Sequence, residues 1–194
     1  MGLAVPEGMK NNRREFLGAA GILAASALVG AQNEPKTLTP TEDNIEGPYY
    51  RKDAPFRSKL SDDIKGDPLV ISGSVLSPEG SPLLGAVIEV WHASAQGEYD
   101  NDSPNFLFRG KVRLGRCKSL YRLETVMPGQ YDLGESKRPA HIHYKVTADG
   151  YKPLTTQLYF KGDPWLERDP YVRKSLIIPV EKSACTFDIV LAKA

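Results

Sequence analysis

The sequence predicts an all-β protein with a β-sandwich architecture, because short apolar segments of strand length alternate with turns along most of the chain. From Leu69 onward these segments are rich in Val, Ile, Leu and Tyr, and Gly, Pro and Asp separate them. No segment after residue 31 has the apolar period of a long amphipathic helix. The predicted strands are residues 70–76, 86–93, 119–126, 141–148, 155–160, 175–179 and 185–191.

Two regions precede the predicted sandwich domain, residues 69–194. Residues 1–31 combine basic residues, a short apolar run and a small-residue end, which is typical of a signal peptide; an amphipathic first helix fits less well, because the run has no polar face. The pair Arg13-Arg14 followed by Phe-Leu resembles the twin-arginine export signal, so we expect a periplasmic or extracellular protein. Residues 32–68 hold five prolines and are predicted to form an extended arm.

The net charge of the chain argues against two classes of binding partner. The chain has 194 residues and a net charge of +1; three of its 25 basic and two of its 24 acidic residues lie within residues 1–31, so the remainder is neutral. We therefore expect no nucleic-acid partner and, once the signal is removed, no membrane.

Cys117 and Cys185 are too few for a disulfide scaffold; they form either one bridge or two buried thiols.

The strongest local signal for chemistry is His141-Ile142-His143 in a predicted strand. Alternate side chains of a strand share a face, so both imidazoles point the same way and their tips can converge on one metal. Taken alone, the pair is more often two hydrogen-bonded or solvent-facing histidines. Its neighbourhood makes the metal interpretation the stronger one.

Five motifs occur in order over residues 40–165. They are Glu46-Gly47-Pro48-Tyr49-Tyr50, the segment 89–99 that ends Gln96-Gly97-Glu98-Tyr99, Pro128-Gly129-Gln130-Tyr131, Arg138-Pro139-Ala140-His141-Ile142-His143, and the segment 157–164 that ends Lys161-Gly162-Asp163-Pro164. In this order they resemble the intradiol ring-cleaving dioxygenases, the family of catechol and protocatechuate 3,4-dioxygenases. The resemblance implies oxygen-dependent cleavage of a catechol-type ring between its two hydroxylated carbons.

The resemblance also implies a ligand set for ferric iron: Tyr99, Tyr131, His141 and His143. Fe(III) favours anionic oxygen donors and accepts imidazole, and a bound cation favours the phenolate form of tyrosine. Two interpretations compete with this one. A secreted, non-catalytic β-sandwich binding module fits the strand pattern equally well but has no need of the ordered tyrosines and histidines. A zinc hydrolase would usually take cysteine, histidine or carboxylate ligands.

Catalytic roles follow from the same resemblance. Arg138 would stabilise negative charge that develops on the ring, and Tyr131 would act as a base when substrate displaces it. Gln157 matches a glutamine of the substrate and oxygen pocket. As an alternative, Arg138 would anchor its strand through Asp132 or Glu135.

Other positions carry weaker expectations. His92 is predicted not to be a ligand, because its strand parity opposes Trp91 and the family has none there. Tyr49 and Tyr50 either border the pocket or only pack. Residues 118–122 replace a longer hairpin of the family, which leaves the strand register there undetermined. In size the chain resembles one iron-bearing protocatechuate dioxygenase subunit, so we expect a homo-oligomer or a hetero-oligomer.

Overall fold

The computed structural model describes residues 37–60, 65–115 and 119–194. The predicted signal peptide, the first residues of the predicted arm and Cys117 lie outside these ranges, so export, the cysteine bridge and the division of the chain at residues 31 and 68 stay predictions. Among the described residues, no helix is long and apolar enough to cross a membrane.

The described part of the chain contains eleven strands and one short helix. The strands are β1 (Pro68–Leu76), β2 (Val87–His92), β3 (Arg109–Arg113), β4 (Leu120–Val126), β5 (Tyr131–Asp132), β6 (Lys137–Arg138), β7 (His141–Thr147), β8 (Leu154–Phe160), β9 (Ile177–Ile178), β10 (Ala184–Thr186) and β11 (Ile189–Val190). A short 3-10 helix, Lys174–Leu176, precedes β9. The prediction of an all-β protein is confirmed.

Two sheets enclose the core. One sheet has the order β3-β2-β7-β8-β9; in the other, β1 pairs with β4 on one side and with β10 and β11 on the other. Alternate residues of β1 and β4 are buried, as expected of strands with one face on a core. The rings of Tyr121 in β4 and Tyr144 in β7 lie 6.4 Å apart, and both side chains are buried. The sheets therefore pack face to face, as a sandwich does.

The structure fixes the register that the sequence left undetermined. Strand β4 pairs antiparallel with β1 along its whole length, from Pro68 opposite Val126 to Ser74 opposite Leu120. The inward position of Tyr121 follows from this register, and its hydroxyl donates to the carbonyl of Phe187 at 2.6 Å. The shorter connection is thus compatible with a regular sheet.

Three strand predictions need correction. Strand β3 was missed because Arg109, Lys111 and Arg113 make it too polar to be taken for a strand. The predicted strand 185–191 is divided into β10 and β11, because the Asp188 carboxylate accepts the backbone N–H of Ser74 at 2.7 Å in place of a ladder bond. The predicted strand 175–179 begins as the 3-10 helix and pairs only over β9.

Residues 37–60 form no regular strand but are tied to both sheets by backbone hydrogen bonds. The N–H of Thr41 donates to Val190 at 3.0 Å, and that of Asn44 donates to Thr155 at 2.8 Å. Further along, the N–H of Leu60 donates to Glu124 at 2.9 Å. This course brings residues 45–49 next to β7, where the candidate site lies.

Candidate active site

Strand β7 places the two histidines as the alternation of side chains requires. It lies between β2 and β8 in the five-stranded sheet, so its backbone is fixed on both sides. The rings of His141 and His143 share one face, and their Nε2 atoms lie 3.2 Å apart. Both side chains are buried. Trp91 of β2 stacks on His143 with ring centroids 4.8 Å apart and an interplanar angle of 4°, which fixes the orientation of that ring.

Two loops bring the tyrosines to the same place. The hydroxyl of Tyr99, in the loop after β2, lies 3.1 Å from His141 Nε2. Tyr131 begins β5, and its ring centroid lies 5.9 Å from that of Tyr99. The four predicted ligands therefore border one cavity. The Tyr99 hydroxyl contacts a histidine, whereas the Tyr131 hydroxyl contacts the hydroxyl of Tyr49.

Two glycines let these loops approach each other. A Cβ on Gly97 would lie 2.2 Å from the carbonyl oxygen of Gln130, and the φ of Gly97 is +87°. A Cβ on Gly129 would lie 2.5 Å from the carbonyl oxygen of Ala95. Both distances are too short for a real side chain, and the positive φ also favours glycine. The glycines two residues before Tyr99 and Tyr131 thus set the spacing of the two tyrosine loops.

Both histidines are neutral in this setting. Burial lowers the pKa of His141 to about 3, with a further contribution from the charge of Arg138, and burial together with His141 lowers the pKa of His143 well below its usual value. The carbonyl of Pro139 lies 2.7 Å from His141 Nδ1 and can only accept, so Nδ1 carries the proton. His141 Nε2 therefore presents a lone pair to the cavity.

The atoms around that lone pair fit a bound cation. Tyr99 Oη, His143 Nε2 and Arg138 Nη1 lie 3.1, 3.2 and 3.4 Å from His141 Nε2. One lone pair cannot accept from both the Tyr99 hydroxyl and Arg138 Nη1, and no protein atom among the described residues bonds His143 Nδ1. A metal ion held by His141 and His143 would use a lone pair of each ring and would favour the phenolate of Tyr99, whose pKa burial otherwise raises.

The donor set favours iron over zinc. Among residues 37–60, 65–115 and 119–194, no group of three or more His, Cys, Asp or Glu side chains is arranged to hold a metal ion. For a site built on His141 and His143, the cavity offers the phenol oxygens of Tyr99 and Tyr131 as further donors. Phenolate oxygen suits a hard trivalent ion better than the nitrogen and sulfur sets that zinc usually takes.

Arg138 is held by three buried partners. Its Nε donates to Asp169 Oδ2 at 2.7 Å, and its Nη2 donates to Gln157 Oε1 at 2.9 Å and to the Tyr159 hydroxyl at 3.1 Å. Nη1 remains on the side of His141 and the cavity. The carboxylate partner is Asp169, in the loop after β8, which corrects the suggested anchors Asp132 and Glu135.

Gln157 lies behind Arg138 rather than at the cavity surface. It is fully buried in β8, and it is not among the described residues that line the cavity. Its Oε1 accepts from Arg138 and from the Tyr159 hydroxyl, and its Nε2 donates to the carbonyl of Ile45 at 2.8 Å. With its amide occupied in this way, Gln157 orients the guanidinium of Arg138.

Asp163 joins the tyrosine and histidine segments, a link that the sequence did not reveal. It accepts the backbone N–H of Ala140 at 2.9 Å and the Nε2 of Gln130 at 3.3 Å. Each of these residues immediately precedes a candidate ligand, His141 or Tyr131. The only sequence signal was the place of Asp163 in the last of the five motifs, to which no role was attached.

Of the remaining candidates, Tyr49 lines the cavity, whereas Tyr50 and His92 do not. Tyr49 lines the cavity and stacks on Tyr99 with ring centroids 4.3 Å apart. Its hydrogen bond with Tyr131, together with burial, raises the pKa of Tyr49 to about 12. Tyr50 instead packs on Trp91. His92 bonds Thr125 Oγ1 and the carbonyl of Ala93, both at 2.7 Å, and takes no part in the cavity.

The cavity beside these groups has a volume of about 280 Å³. Its described lining is mainly aromatic and aliphatic apart from Arg138 and the two histidines, and comprises Ile45, Gly47, Pro48, Tyr49, Tyr99, Tyr131, Leu133, Arg138, His141, His143 and Tyr171. A Cβ on Gly47 would meet the His143 ring at 3.4 Å, so the chain passes close to that histidine. The arrangement is a small apolar chamber with a polar, cation-compatible floor.

Comparison with known proteins identifies the family of this chain. The family model described as Dioxygenase matches residues 45–192, which include the four predicted ligands and Arg138. The chain belongs to the intradiol ring-cleaving dioxygenase family. A chlorocatechol 1,2-dioxygenase of Cupriavidus pinatubonensis is 41% identical over 157 residues, covering 70% of this chain and 61% of that protein. Catechol 1,2-dioxygenase 1 of Acinetobacter lwoffii is 37% identical, covering 72% and 53%.

Solved structures of dioxygenases agree with this assignment. The dioxygenase domain of a dioxygenase–carbohydrate-binding fusion protein from Streptomyces sp. SirexAA-E matches with a TM-score of 0.73 and 37% identity, covering 80% of this chain and 100% of that one. 3-Chlorocatechol 1,2-dioxygenase from Rhodococcus opacus 1CP gives a TM-score of 0.73 and 29% identity, covering 80% and 74%. The chain spans under two thirds of the length of the curated relatives named above.

Proposed function

We propose that this protein is a non-haem Fe(III) intradiol dioxygenase that cleaves a catechol-type ring between its two hydroxylated carbons. The observation that carries the proposal is the convergence of Tyr99, His141 and His143 beside a cavity that Tyr131 also lines. Family membership supports the reaction class. Both atoms of O2 would enter the product as the ring opens to a muconate with two carboxyl groups.

The residues of the chain have separable tasks in this reaction. When bound, ferric iron would supply the Lewis-acidic, redox-active centre to which the catechol oxygens bind. As the phenolate that a bound cation favours, Tyr131 would take up one substrate proton at Oη, and its contact with the Tyr49 hydroxyl holds that atom at the cavity surface. Arg138 Nη1 faces the cavity and would stabilise negative charge on the ring oxygens. The apolar walls would displace water from the faces of a bound ring.

The lining favours a ring without a carboxylate attached directly to it. Arg138 is the one lysine, arginine, aspartate or glutamate among the described lining residues, and its Nη1 lies beside His141, at the end of the cavity where the ring hydroxyls would bind. A protocatechuate carboxylate would be buried there without a free cation, which is unfavourable. The relatives reported above are named for catechols and chlorocatechols. We therefore favour catechols over protocatechuate as substrates.

The proposal is tested by the colour, metal content and oxygen uptake of the purified protein. Phenolate-to-Fe(III) charge transfer absorbs visible light, so we expect a coloured protein with stoichiometric iron. Adding catechol should start oxygen uptake and produce a muconate. A colourless protein that carries stoichiometric zinc would contradict the assignment. A protein with neither colour nor oxygen uptake would also contradict it, and would fit a non-catalytic binding module.

The variant Tyr131→Phe tests the double role of Tyr131. Losing one phenolate should weaken iron binding and shift the visible band, and losing the base should slow turnover by about a hundredfold. Tyr49→Phe is the matched comparison, because it removes only the hydroxyl that contacts Tyr131. We expect Tyr49→Phe to keep its iron and the visible band of the wild type. An unchanged band in Tyr131→Phe would exclude Tyr131 as a ligand.

Location and assembly are also part of the proposal. The paired arginines and the apolar run of residues 1–31 support export to the periplasm or the cell exterior by the twin-arginine route. That route suits a metal site that forms only with the fold. We further propose a homo-oligomer or a hetero-oligomer with a related subunit. Cell fractionation, N-terminal sequencing and the mass of the purified assembly test these points.

A further inference from the structure

A second, smaller cavity adjoins the candidate substrate cavity. Its volume is about 150 Å³, and it shares Leu133, Arg138 and Tyr171 with the first. The rest of its described lining comes from the β5–β6 hairpin and the loop after β8, and comprises Ser136, Lys137, Arg168, Asp169 and Pro170. The three shared side chains are therefore the boundary between the two cavities.

Two of these boundary side chains lie at the surface. Leu133 is 55% exposed and Tyr171 is 41% exposed, whereas Arg138 is buried and fixed by Asp169. Neither Leu133 nor Tyr171 belongs to the buried core. The Tyr171 ring lies 5.2 Å from the Arg138 guanidinium, whereas the exposed Leu133 side chain can change rotamer readily. A short flexible substituent on a ring in the first cavity can therefore pass beside Leu133.

The second cavity carries an excess of positive charge. Its one carboxylate, Asp169, is already committed to Arg138 at 2.7 Å, which leaves Lys137 and Arg168. Lys137 has only a long, exposed ion pair with Asp132 at 3.9 Å, a kind that contributes little. The guanidinium of Arg168 lies over the Trp165 ring at 5.0 Å, which restricts its position.

We propose that the two cavities form one substrate site, in which the first takes the catechol ring and the second an anionic group on a side arm of that ring. The inference rests on the proposed function. The first cavity offers about 280 Å³ for the ring, and the second adds about 150 Å³ beside it for a side arm. The substrate class is a catechol with a short alkyl chain that ends in a carboxylate, which Lys137 and Arg168 bind.

Dihydroxyphenylpropionate and its uncharged amide test this assignment, because they have the same ring and arm and differ in charge. Their affinities for the iron-loaded enzyme are measured without oxygen by calorimetry, and their KM values by oxygen uptake. We expect the acid to bind about fivefold more tightly than the amide, the size of effect that a partly exposed ion pair produces. Dihydroxybenzoate, which has no arm, should show no such preference over its amide.

A matched pair of variants locates the charge that is responsible. Arg168→Glu reverses a charge in the second cavity, and Arg173→Glu makes the same change at an exposed position of the same loop that lines neither cavity. The acid-to-amide preference should disappear or reverse in Arg168→Glu and persist in Arg173→Glu. Using the ratio within each variant removes any general effect on stability or iron loading.

Two results would overturn the proposal: equal affinities of the acid and the amide for the wild type, or a preference that survives Arg168→Glu. A failure of the proposed function looks different, since the wild type would then cleave neither catechol nor either arm-bearing ligand. Calorimetry does not depend on turnover, so the binding ratio still reports on the second cavity in that case.

Discussion

His143→Ala is expected to abolish iron binding and activity while the sandwich remains folded. His143 presents its Nε2 3.2 Å from that of His141, and nothing else among the described residues can replace that donor at this point. Changing a residue that merely orients a metal ligand usually lowers affinity 10- to 100-fold, so losing a ligand should lower it by more than about a hundredfold. Iron per folded chain and the visible band measure the effect.

The control for this experiment is His92→Ala, which removes a buried histidine outside the site. His92 bonds Thr125 and the carbonyl of Ala93, so its loss should lower the melting temperature. Iron per folded chain should stay at the wild-type level, because both nitrogens of His92 are engaged away from the cavity. If His92→Ala loses iron and His143→Ala keeps it, the ligand assignment is wrong.

Strand geometry explains which part of the candidate site could be predicted from the residues alone. The shared face of His141 and His143 follows from side-chain alternation alone, which needs no tertiary information. The tyrosines came from motif order, because nothing local in the sequence shows that Tyr99 and Tyr131 approach the same histidines. Two close backbone approaches bring them there, at Gly97 and Gly129.

The features that the sequence did not predict depend on contacts between segments that are distant in sequence. Asp169 is 31 residues from Arg138 in sequence, and nearer carboxylates offered simpler but incorrect partners. Strand β3 was missed because its charged residues obscure the pattern; in the fold, the Nη1 of Arg109 donates to the carbonyl of Tyr49 at 2.6 Å. Gln157 was placed at the pocket by motif order, whereas its depth behind Arg138 depends on the pairing of β7 and β8.

Arg138→Ala is expected to lower kcat by at least about a hundredfold while iron remains bound. Arg138 is not a ligand, and the group it offers to the cavity is a charged donor aimed at the place where negative charge would develop on the ring. Such a contact is stronger in the transition state than in the ground state, so the loss should fall on kcat more than on KM. Oxygen uptake and iron content are measured on the same sample.

Asp169, the buried partner of Arg138, affects how the Arg138→Ala variant is interpreted. Without the arginine, the Asp169 carboxylate is left buried and unpaired, and breaking a buried ion pair costs about 3–5 kcal/mol of stability. The double variant Arg138→Ala with Asp169→Asn removes that charge. If Arg138 acts on the ring, the double variant should regain the melting temperature but not kcat.

Arg138→Lys separates the charge of the residue from its shape. Three of the guanidinium contacts run to Asp169, Gln157 and Tyr159 and leave Nη1 for the cavity. A lysine has one nitrogen and cannot hold these partners while also facing the ring, so it should restore little of kcat. If Arg138 only anchored its strand, Arg138→Ala would lose iron and stability together, and kcat per bound iron would stay near that of the wild type. Retained iron with low kcat in both single variants and in the double variant therefore assigns Arg138 to the chemistry.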